Sequence, residues 1–353
     1  MKKILFGSLA TLLVTVLVIS GCKQDIDLTG DYKEVPVVYG LLNTQDATHY
    51  IRVQKGYLID GDAYAAAGIP DSIYYSDSLV VRLIPYTGAN AGNPIVFSKQ
   101  VNTVVKDSGT FATTPHILYA YTGTLDPSKS YKLQIINTTS KDTFSSAEQT
   151  GIALVKDFQV VSPNQDLIGA NVIGLSSNAP YSIRWRAADN AGIYDIKMRF
   201  PYREYDNATN TLQVDSFVEV YILKSESGIV DNTFLIASFN PLLLLNTLAN
   251  NLEVRNDRYR IFKATEGIKL YFTAGGTTLA QFINSQKAQS GGLTSNEALP
   301  PFTNITDGVG IFSSRYSKTL DSIMLTNAAL DTLSCHPITA PLRFRGSNGQ
   351  VCF

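Results

Sequence analysis

Histidine and cysteine, on which most transition-metal and redox sites depend, are scarce in this chain. Its 353 residues include three histidines and three cysteines. His49, His116 and His336 lie far apart in the sequence, and no His-Glu-x-x-His pattern occurs. No two cysteines have the Cys-x-x-Cys spacing of a redox motif. The sequence therefore predicts neither a metal site nor a cofactor.

An excess of one charge and the common catalytic motifs are also missing. The chain carries 29 basic and 30 acidic residues, whereas a nucleic-acid partner requires a concentrated basic face. No Gly-x-Ser-x-Gly or Ser-x-x-Lys motif indicates a serine hydrolase. The glycine-containing stretch at residues 274–279 lacks the lysine of a phosphate loop. We expect no nucleic-acid partner and name no catalytic residue.

Long apolar runs are absent except at the N-terminus. Lys2 and Lys3 precede the uncharged, apolar segment 4–19, and no later segment reaches the length of a membrane-spanning helix. This segment is itself short for a bilayer span and has the form of a secretory signal peptide.

The end of that segment, Ile19-Ser20-Gly21-Cys22, resembles a bacterial lipobox. The resemblance implies that residues 1–21 are removed and that Cys22 carries acyl chains such as palmitate, which anchor the protein in a membrane. Residues 22–34 are then a polar tether. A plain signal peptide and an uncleaved anchor helix, with Cys22 incidental, are the alternatives.

The remaining chain favours β-structure. Aromatic residues are plentiful, with 19 Tyr and 16 Phe, and Gly, Pro, Asn and Asp separate short runs of β-branched residues. Segment 35–42 is an apolar run that predicts a buried strand. In segment 49–58, Ile51 and Val53 alternate with Arg52 and Gln54, as in a half-buried strand. About seven such strands predict an immunoglobulin-like β-sandwich over residues 35–151.

Residues 152–353 predict a second, β-rich domain. Tyr194, Ile196, Met198 and Phe200 alternate with polar residues, and Trp185 lies between two arginines, so these five side chains are the expected core. Segment 203–213 is predicted to be a loop. Segments 240–251 and 277–292 have apolar residues at helical spacing, and Asn240 can cap the first of these helices. The predicted fold is mainly β: two immunoglobulin- or fibronectin-like sandwiches, with two short helices inserted in the second.

Two cysteines remain for the C-terminal tail. Cys335 and Cys352 would lie outside the cytoplasm, where thiols oxidise, so a disulfide that closes the tail is predicted. The alternative is two free thiols in a frayed tail.

A long loop is predicted over residues 60–78. Its aspartates match no EF-hand spacing, so a solvated loop is favoured over a calcium site. Tyr64, Tyr74 and Tyr75 are candidates for contact with a partner or ligand, because tyrosine gives a large contact area at little entropic cost. The alternative is that these side chains fold back on their own sandwich.

The order of several segments carries a family resemblance. The lipobox, segments 35–42 and 49–58, the block 183–205 and segment 302–316 together resemble the Bacteroidota lipoproteins grouped as the domain-of-unknown-function 4249 family. The resemblance implies an outer-membrane protein associated with a TonB-dependent receptor. Lys23-Gln24-Asp25 resembles a surface-export signal, which favours the cell surface over the periplasmic face; a solvated tether would look similar.

These observations predict a lipid-anchored binding or accessory protein of the cell envelope, without catalytic activity. Two other functions stay open. A glycan-acting hydrolase would use paired carboxylates that the fold, not sequence spacing, brings together. A structural or adhesive surface protein would need no pocket at all.

Overall fold

A computed structural model describes residues 35–56, 63–162, 172–175, 180–226, 229–231, 234–290 and 302–352. The predicted signal peptide, Cys22 and the tether lie outside the described residues, and so do Asp60 and Asp62.

The chain is mainly β, as predicted. Strands hold 48% of the residues and helices 16%, against roughly 20–25% strand in an average globular protein. The strands form three sheets of ten, seven and four strands within the described residues.

The ten-stranded sheet combines strands from both ends of the chain. Its members are β1 (Pro36–Leu42), β2 (Thr48–Lys55), β6 (Ser98–Val101), β7 (Ile117–Thr122), β12 (Val172–Ile173), β14 (Ala191–Asp206), β15 (Leu212–Glu226), β18 (Arg258–Phe262), β19 (Ile268–Gly276) and β21 (Val309–Leu325). Its main path runs β15-β14-β19-β21-β1-β2-β7-β6, with β12 paired to β21 and β18 to β14. The β1–β21 pair is parallel, and it joins the N-terminal strands to the C-terminal ones.

The two smaller sheets each draw on a narrower part of the chain. The seven-stranded sheet contains β3 (Leu79–Thr87), β4 (Asn90–Ala91), β5 (Ile95–Val96), β8 (Ser130–Asn137), β9 (Thr143–Ser146), β10 (Ile152–Ala153) and β20 (Ile305–Thr306). The four-stranded sheet contains β11 (Val160–Ser162), β13 (Tyr181–Arg186), β16 (Ile229–Asp231) and β17 (Phe234–Phe239).

The described residues contain five α-helices, where the sequence predicted two. They are α1 (Ala63–Ala67), α2 (Pro70–Ile73), α3 (Pro241–Asn251), α4 (Thr277–Ser290) and α5 (Asn327–Cys335), and a 3₁₀ turn follows at Ala340–Leu342. The predicted helices correspond to α3 and α4. At the start of α3 the Asn240 side chain accepts a hydrogen bond from the Leu242 amide at 2.9 Å, and Pro241 occupies the first turn.

Two large hydrophobic clusters form the core. The first includes Val38 and Ile51 of the ten-stranded sheet together with Leu83 and Leu133 of the seven-stranded sheet. The second lies among β13 and β17, the C-terminal strands of the large sheet, and helices α3 and α5. It contains all five predicted core side chains, each buried: Trp185, Tyr194, Ile196, Met198 and Phe200.

β21 contributes to both clusters. Phe312, near its start, is buried in the first cluster, and Leu320 and Ile323, near its end, are buried in the second. The division into domains at residue 151 stays a prediction, and the first cluster takes side chains from both sides of that position.

Local expectations differ from the structure at two strands. Segment 203–213 was expected to be a loop, but β14 continues to Asp206 and β15 begins at Leu212. The Asp206 carboxylate accepts hydrogen bonds from the amides of Ala208 and Thr209, which tightens the connection into a turn. β1 is not buried throughout, because it lies in a sheet whose outer face is partly open and Tyr39 is 39% exposed there.

Candidate binding site

The predicted recognition loop is largely helical. α1 and α2 occupy residues 63–67 and 70–73, and Pro70 stands in the first turn of α2. Ile73 and Tyr74 pack with Ala112 and Ile117 in a small third cluster. The segment is therefore held against the body of the protein.

Two of its three candidate tyrosines are not exposed. Tyr74 and Tyr75 have only 5% and 8% of their surface exposed, whereas Tyr64 has 77%. Tyr75 belongs to the first large cluster. The expectation that Tyr74 and Tyr75 present themselves to a partner is wrong, and their burial matches the alternative, in which they fold back on the sandwich. Only Tyr64 keeps the exposure that a contact residue needs.

The same segment borders two neighbouring cavities, which share Lys55. The first, of about 520 Å³, has carboxylates and amines in its wall: Lys55, Asp71, Asp77 and Lys99. Lys99 Nζ lies 2.6 Å from Asp77 Oδ1, and this hydrogen bond holds the pKa of the Asp77 carboxyl below its ordinary value. We call it the mixed-charge cavity. Its charges are already partly paired.

The second cavity, of about 390 Å³, has a different wall. Arg52, Lys55 and Lys106 supply its charges, and Tyr39, Phe111, Val37 and Ile73 supply its apolar surface. We call it the basic cavity. Among the residues that the structure describes, no Asp or Glu lines it. Its volume falls in the range of roughly 300–1,000 Å³ that is typical of small-molecule sites.

Side chains of the paired strands β1 and β2 form one side of this cavity wall. The antiparallel register of β1 and β2 sets Tyr39 opposite Arg52 and Val37 opposite Gln54. These four side chains point to the outer face, because Val38, Ile51 and Val53 take the inner one. The guanidinium carbon of Arg52 lies 4.6 Å from the centre of the Tyr39 ring, so the ring holds the guanidinium in place.

The other half of the wall comes from the connection between β6 and β7. Lys106 Nζ donates hydrogen bonds to the carbonyl oxygens of Ala112 at 2.8 Å and Phe111 at 3.2 Å. These bonds fix the ammonium group, which has three donors, and leave one donor without a partner in the described part of the chain. Burial, and then the nearby charge of Arg52, lowers the pKa of Lys106. Two cations thus converge, and no described carboxylate pairs with either of them.

The described carboxyl groups with shifted pKa values are hydrogen-bonded or ion-paired to neighbouring groups. Where the pKa of a described carboxyl departs from its ordinary value, it is lowered, by hydrogen bonds to lysines, arginines, hydroxyls or amides. These groups are Asp77, Asp126, Asp206, Asp215, Glu219, Asp257 and Glu266. A lowered pKa keeps a carboxyl ionised, whereas the general acid of a glycosidase needs a raised one.

The described histidines and cysteines are engaged in the fold itself. Within the described ranges, no three His, Cys, Asp or Glu side chains are grouped so as to hold a metal ion. His49 instead bonds the Gly123 carbonyl, and His116 the Val104 carbonyl. Cys335 and Cys352 form a disulfide with their Cα atoms 4.9 Å apart, which closes the tail against α5 as the sequence predicted.

Only part of the basic cavity can be predicted from the sequence. The alternation in segment 49–58 predicted that Arg52 and Gln54 face away from the core, which is correct. Lys106 and Phe111 lie in an irregular connection with no periodicity, so nothing in the sequence indicated that they fold over β2. Their position depends on contacts of the chain around Ala112 with α1 and α2.

Comparison with known proteins assigns no family to the chain. No protein-family model matches the chain, and no curated protein matches it. Among the helices in the described ranges, none combines the length and the apolar character needed to cross a bilayer.

Proposed function

We propose that this protein is a lipid-anchored binding protein of the bacterial cell envelope, without catalytic activity, and that the basic cavity is its ligand site. The observation that carries the proposal is the convergence of fixed polar groups and apolar rings in one concave site.

The cellular setting of the proposal depends on the sequence. The lipobox at Cys22 supports anchoring, and the resemblance to the 4249-type lipoproteins supports an outer-membrane location, at the cell surface, beside a TonB-dependent receptor. We also infer that the two large clusters are the cores of two immunoglobulin-like sandwiches. Support comes from buried side chains of two different sheets within each cluster.

Binding in the cavity is tested with a variant that fills it without a change of charge. Gln54 lines the basic cavity from the outer face of β2, so Gln54→Trp should obstruct it. The full-length lipoprotein in detergent would be screened by thermal shift against a panel of anionic, neutral and cationic small molecules. We expect at least one to raise the melting temperature of the wild type and not of Gln54→Trp.

Thr48→Trp is the matched control, because Thr48 lies at the other end of β2 and does not line the cavity. It should respond to the same molecule as the wild type does. A ligand that stabilises Gln54→Trp equally well would show that the cavity is not the binding site.

The anchor has its own test in the three cysteines. Incorporation of labelled palmitate should be lost in Cys22→Ala and retained in the double variant Cys335→Ser/Cys352→Ser. Digestion of intact cells with an added protease then reports the leaflet, since only a surface-displayed chain is cleaved. Label that persists in Cys22→Ala would contradict lipidation at this residue.

A further inference from the structure

We propose that the ligand of the basic cavity is a small organic anion with a flat apolar body, whose carboxylate, sulfate or phosphate group binds among Arg52, Lys55 and Lys106. This inference rests on the proposed function, in that it takes the basic cavity as the ligand site, and it adds the chemical class of the ligand.

The cavity has a surplus of positive charge. In the described part of the chain, none of Arg52, Lys55 and Lys106 forms an ion pair, whereas Lys99 of the neighbouring cavity pairs with Asp77. The surplus is not simply an exposed surface feature, because Arg52, Lys55 and Lys106 are each partly buried. Cations that converge in a partly desolvated site repel one another, and an anion placed among them relieves the repulsion.

The donors are directed and held in place. A guanidinium presents a planar fork that matches the oxygens of a carboxylate, sulfate or phosphate, and the Tyr39 ring at 4.6 Å restrains the plane of Arg52. The backbone carbonyls of Phe111 and Ala112 hold the Lys106 ammonium group. Arg52 Nε is buried and has no hydrogen-bond partner in the described residues, so the Tyr39 ring restrains the guanidinium while this donor stays unsatisfied.

The apolar part of the cavity wall indicates what the uncharged part of the ligand is like. Phe111 and Tyr39 are exposed by 49% and 39%, and they stand beside the apolar side chains of Val37 and Ile73. Partly exposed aromatic side chains next to fixed cations suit a molecule that has a flat apolar part and a charged end. A free inorganic anion would leave these surfaces in water.

Four probes with the same ring separate charge from shape: benzoate, phenyl phosphate, phenyl sulfate and the neutral benzamide. Binding to the full-length lipoprotein in detergent would be measured by titration calorimetry. We expect at least one anion to bind at least about tenfold more tightly than benzamide, and the three anions then identify the preferred group. Affinity should fall as ionic strength rises from about 0.01 M to about 0.15 M, since the Debye length shrinks from about 30 Å to about 8 Å.

Variants assign the effect to the cavity. Arg52→Gln and Lys106→Gln should each lower the affinity for the anion by about tenfold or more, and the affinity for benzamide should stay unchanged. Lys55→Gln is a third variant and should also lower the affinity for the anion. Lys55 forms no ion pair in the described residues, so its loss should leave the fold intact. Lys99→Gln is the matched control, a lysine of the mixed-charge cavity that should leave the affinity unaltered.

Three outcomes would overturn the inference. Benzamide could bind as tightly as the anions, or the anions could bind Lys55→Gln, Lys106→Gln and the wild type equally. Either result leaves the proposed function standing if Gln54→Trp still abolishes binding. If no anion binds the wild type while a neutral panel member binds and Gln54→Trp blocks it, only the anion assignment fails.

Discussion

His49 is the residue at which mild acid should act on the fold. Its side chain is 2% exposed, and Nε2 donates to the Gly123 carbonyl oxygen at 3.0 Å. Nδ1 is buried without a partner in the described structure. Burial, opposed by the bond to Gly123, lowers the pKa of His49 below 6.5. The folded protein therefore holds a neutral imidazole.

The sign of the pH effect follows from that lowered pKa. Between the lowered pKa and about 6.5 the unfolded chain binds more protons than the folded chain, so the free energy of unfolding falls as the pH falls. We expect His49→Gln, whose amide can still donate to Gly123, to lose less stability than the wild type when the pH drops from about 7.5 to about 5.

Melting curves of both proteins at several pH values measure the effect. Carboxyl titrations are common to the two proteins and cancel in the difference. Parallel curves for the wild type and His49→Gln across this range would contradict the assignment.

At the scale of elements, a buried ion pair ties β18 to β14 and to the C-terminal segment. Arg260 is 2% exposed, and its Nε donates to Glu204 Oε1 at 2.7 Å. Its other nitrogens donate to the carbonyl oxygens of Leu342 and Glu253, both at 2.8 Å. Arg258 donates to the second oxygen of Glu204 at 3.0 Å. Each group of this network has a partner, which is the condition for charges to be tolerated in a core.

Loss of one partner should be costly. Arg260→Met leaves the Glu204 carboxylate buried beside a single arginine, and we expect the free energy of unfolding to drop by about 3–5 kcal/mol. The double variant Arg260→Met/Glu204→Leu removes both charges and should recover much of that loss.

The exposed pair of Lys99 and Asp77 supplies the control, because Asp77 is 90% exposed. Lys99→Met should change stability by less than about 1 kcal/mol. Denaturant unfolding compares all three proteins. An Arg260→Met variant no less stable than Lys99→Met would show that the buried network does not stabilise the fold.

A helix or strand can be predicted from the sequence when the pattern that indicates it lies within the segment itself. The alternation around Met198 and the cap at Asn240 are local, and both β14 and α3 were predicted. The partnership of Arg260 with Glu204 joins residues far apart in the chain, and no pattern indicates it. α1 and α2 were missed because four-to-five-residue helices show no periodicity. The basic cavity combines both cases: the alternation in segment 49–58 placed Arg52 correctly, and no pattern makes a prediction for Lys106.

At the scale of the whole molecule, β21 connects the two large clusters. Its first part pairs in parallel with β1, and its later part pairs with β19. Ser314, the last residue of the part paired with β1, donates to the Ala153 carbonyl at 3.0 Å and accepts from the Val155 amide at 3.1 Å. The β1–β21 pair is also the path by which the strand carrying Tyr39 is fixed to the rest of the sheet.

Gly310 permits that pair. Its φ is +113°, and a Cβ atom added there would lie 1.9 Å from the Val38 carbonyl oxygen, its neighbour across the pair. Gly310→Ala therefore requires β21 to move away from β1. Gly88 is the control that separates the steric clash from the cost of a left-handed backbone. Its φ is +60°, but nothing lies within 4 Å of a Cβ atom added there.

Gly88→Ala should cost roughly 1–2 kcal/mol, the penalty of a left-handed backbone for a residue with a side chain. Gly310→Ala should cost more than about 3 kcal/mol, because backbone strain adds to a clash between two central strands. Calorimetry should also show its unfolding divide into two transitions, since the strand pair that links the clusters is weakened first. Equal losses of melting temperature in the two variants would mean that β21 does not approach β1 this closely, and that the clusters are joined elsewhere.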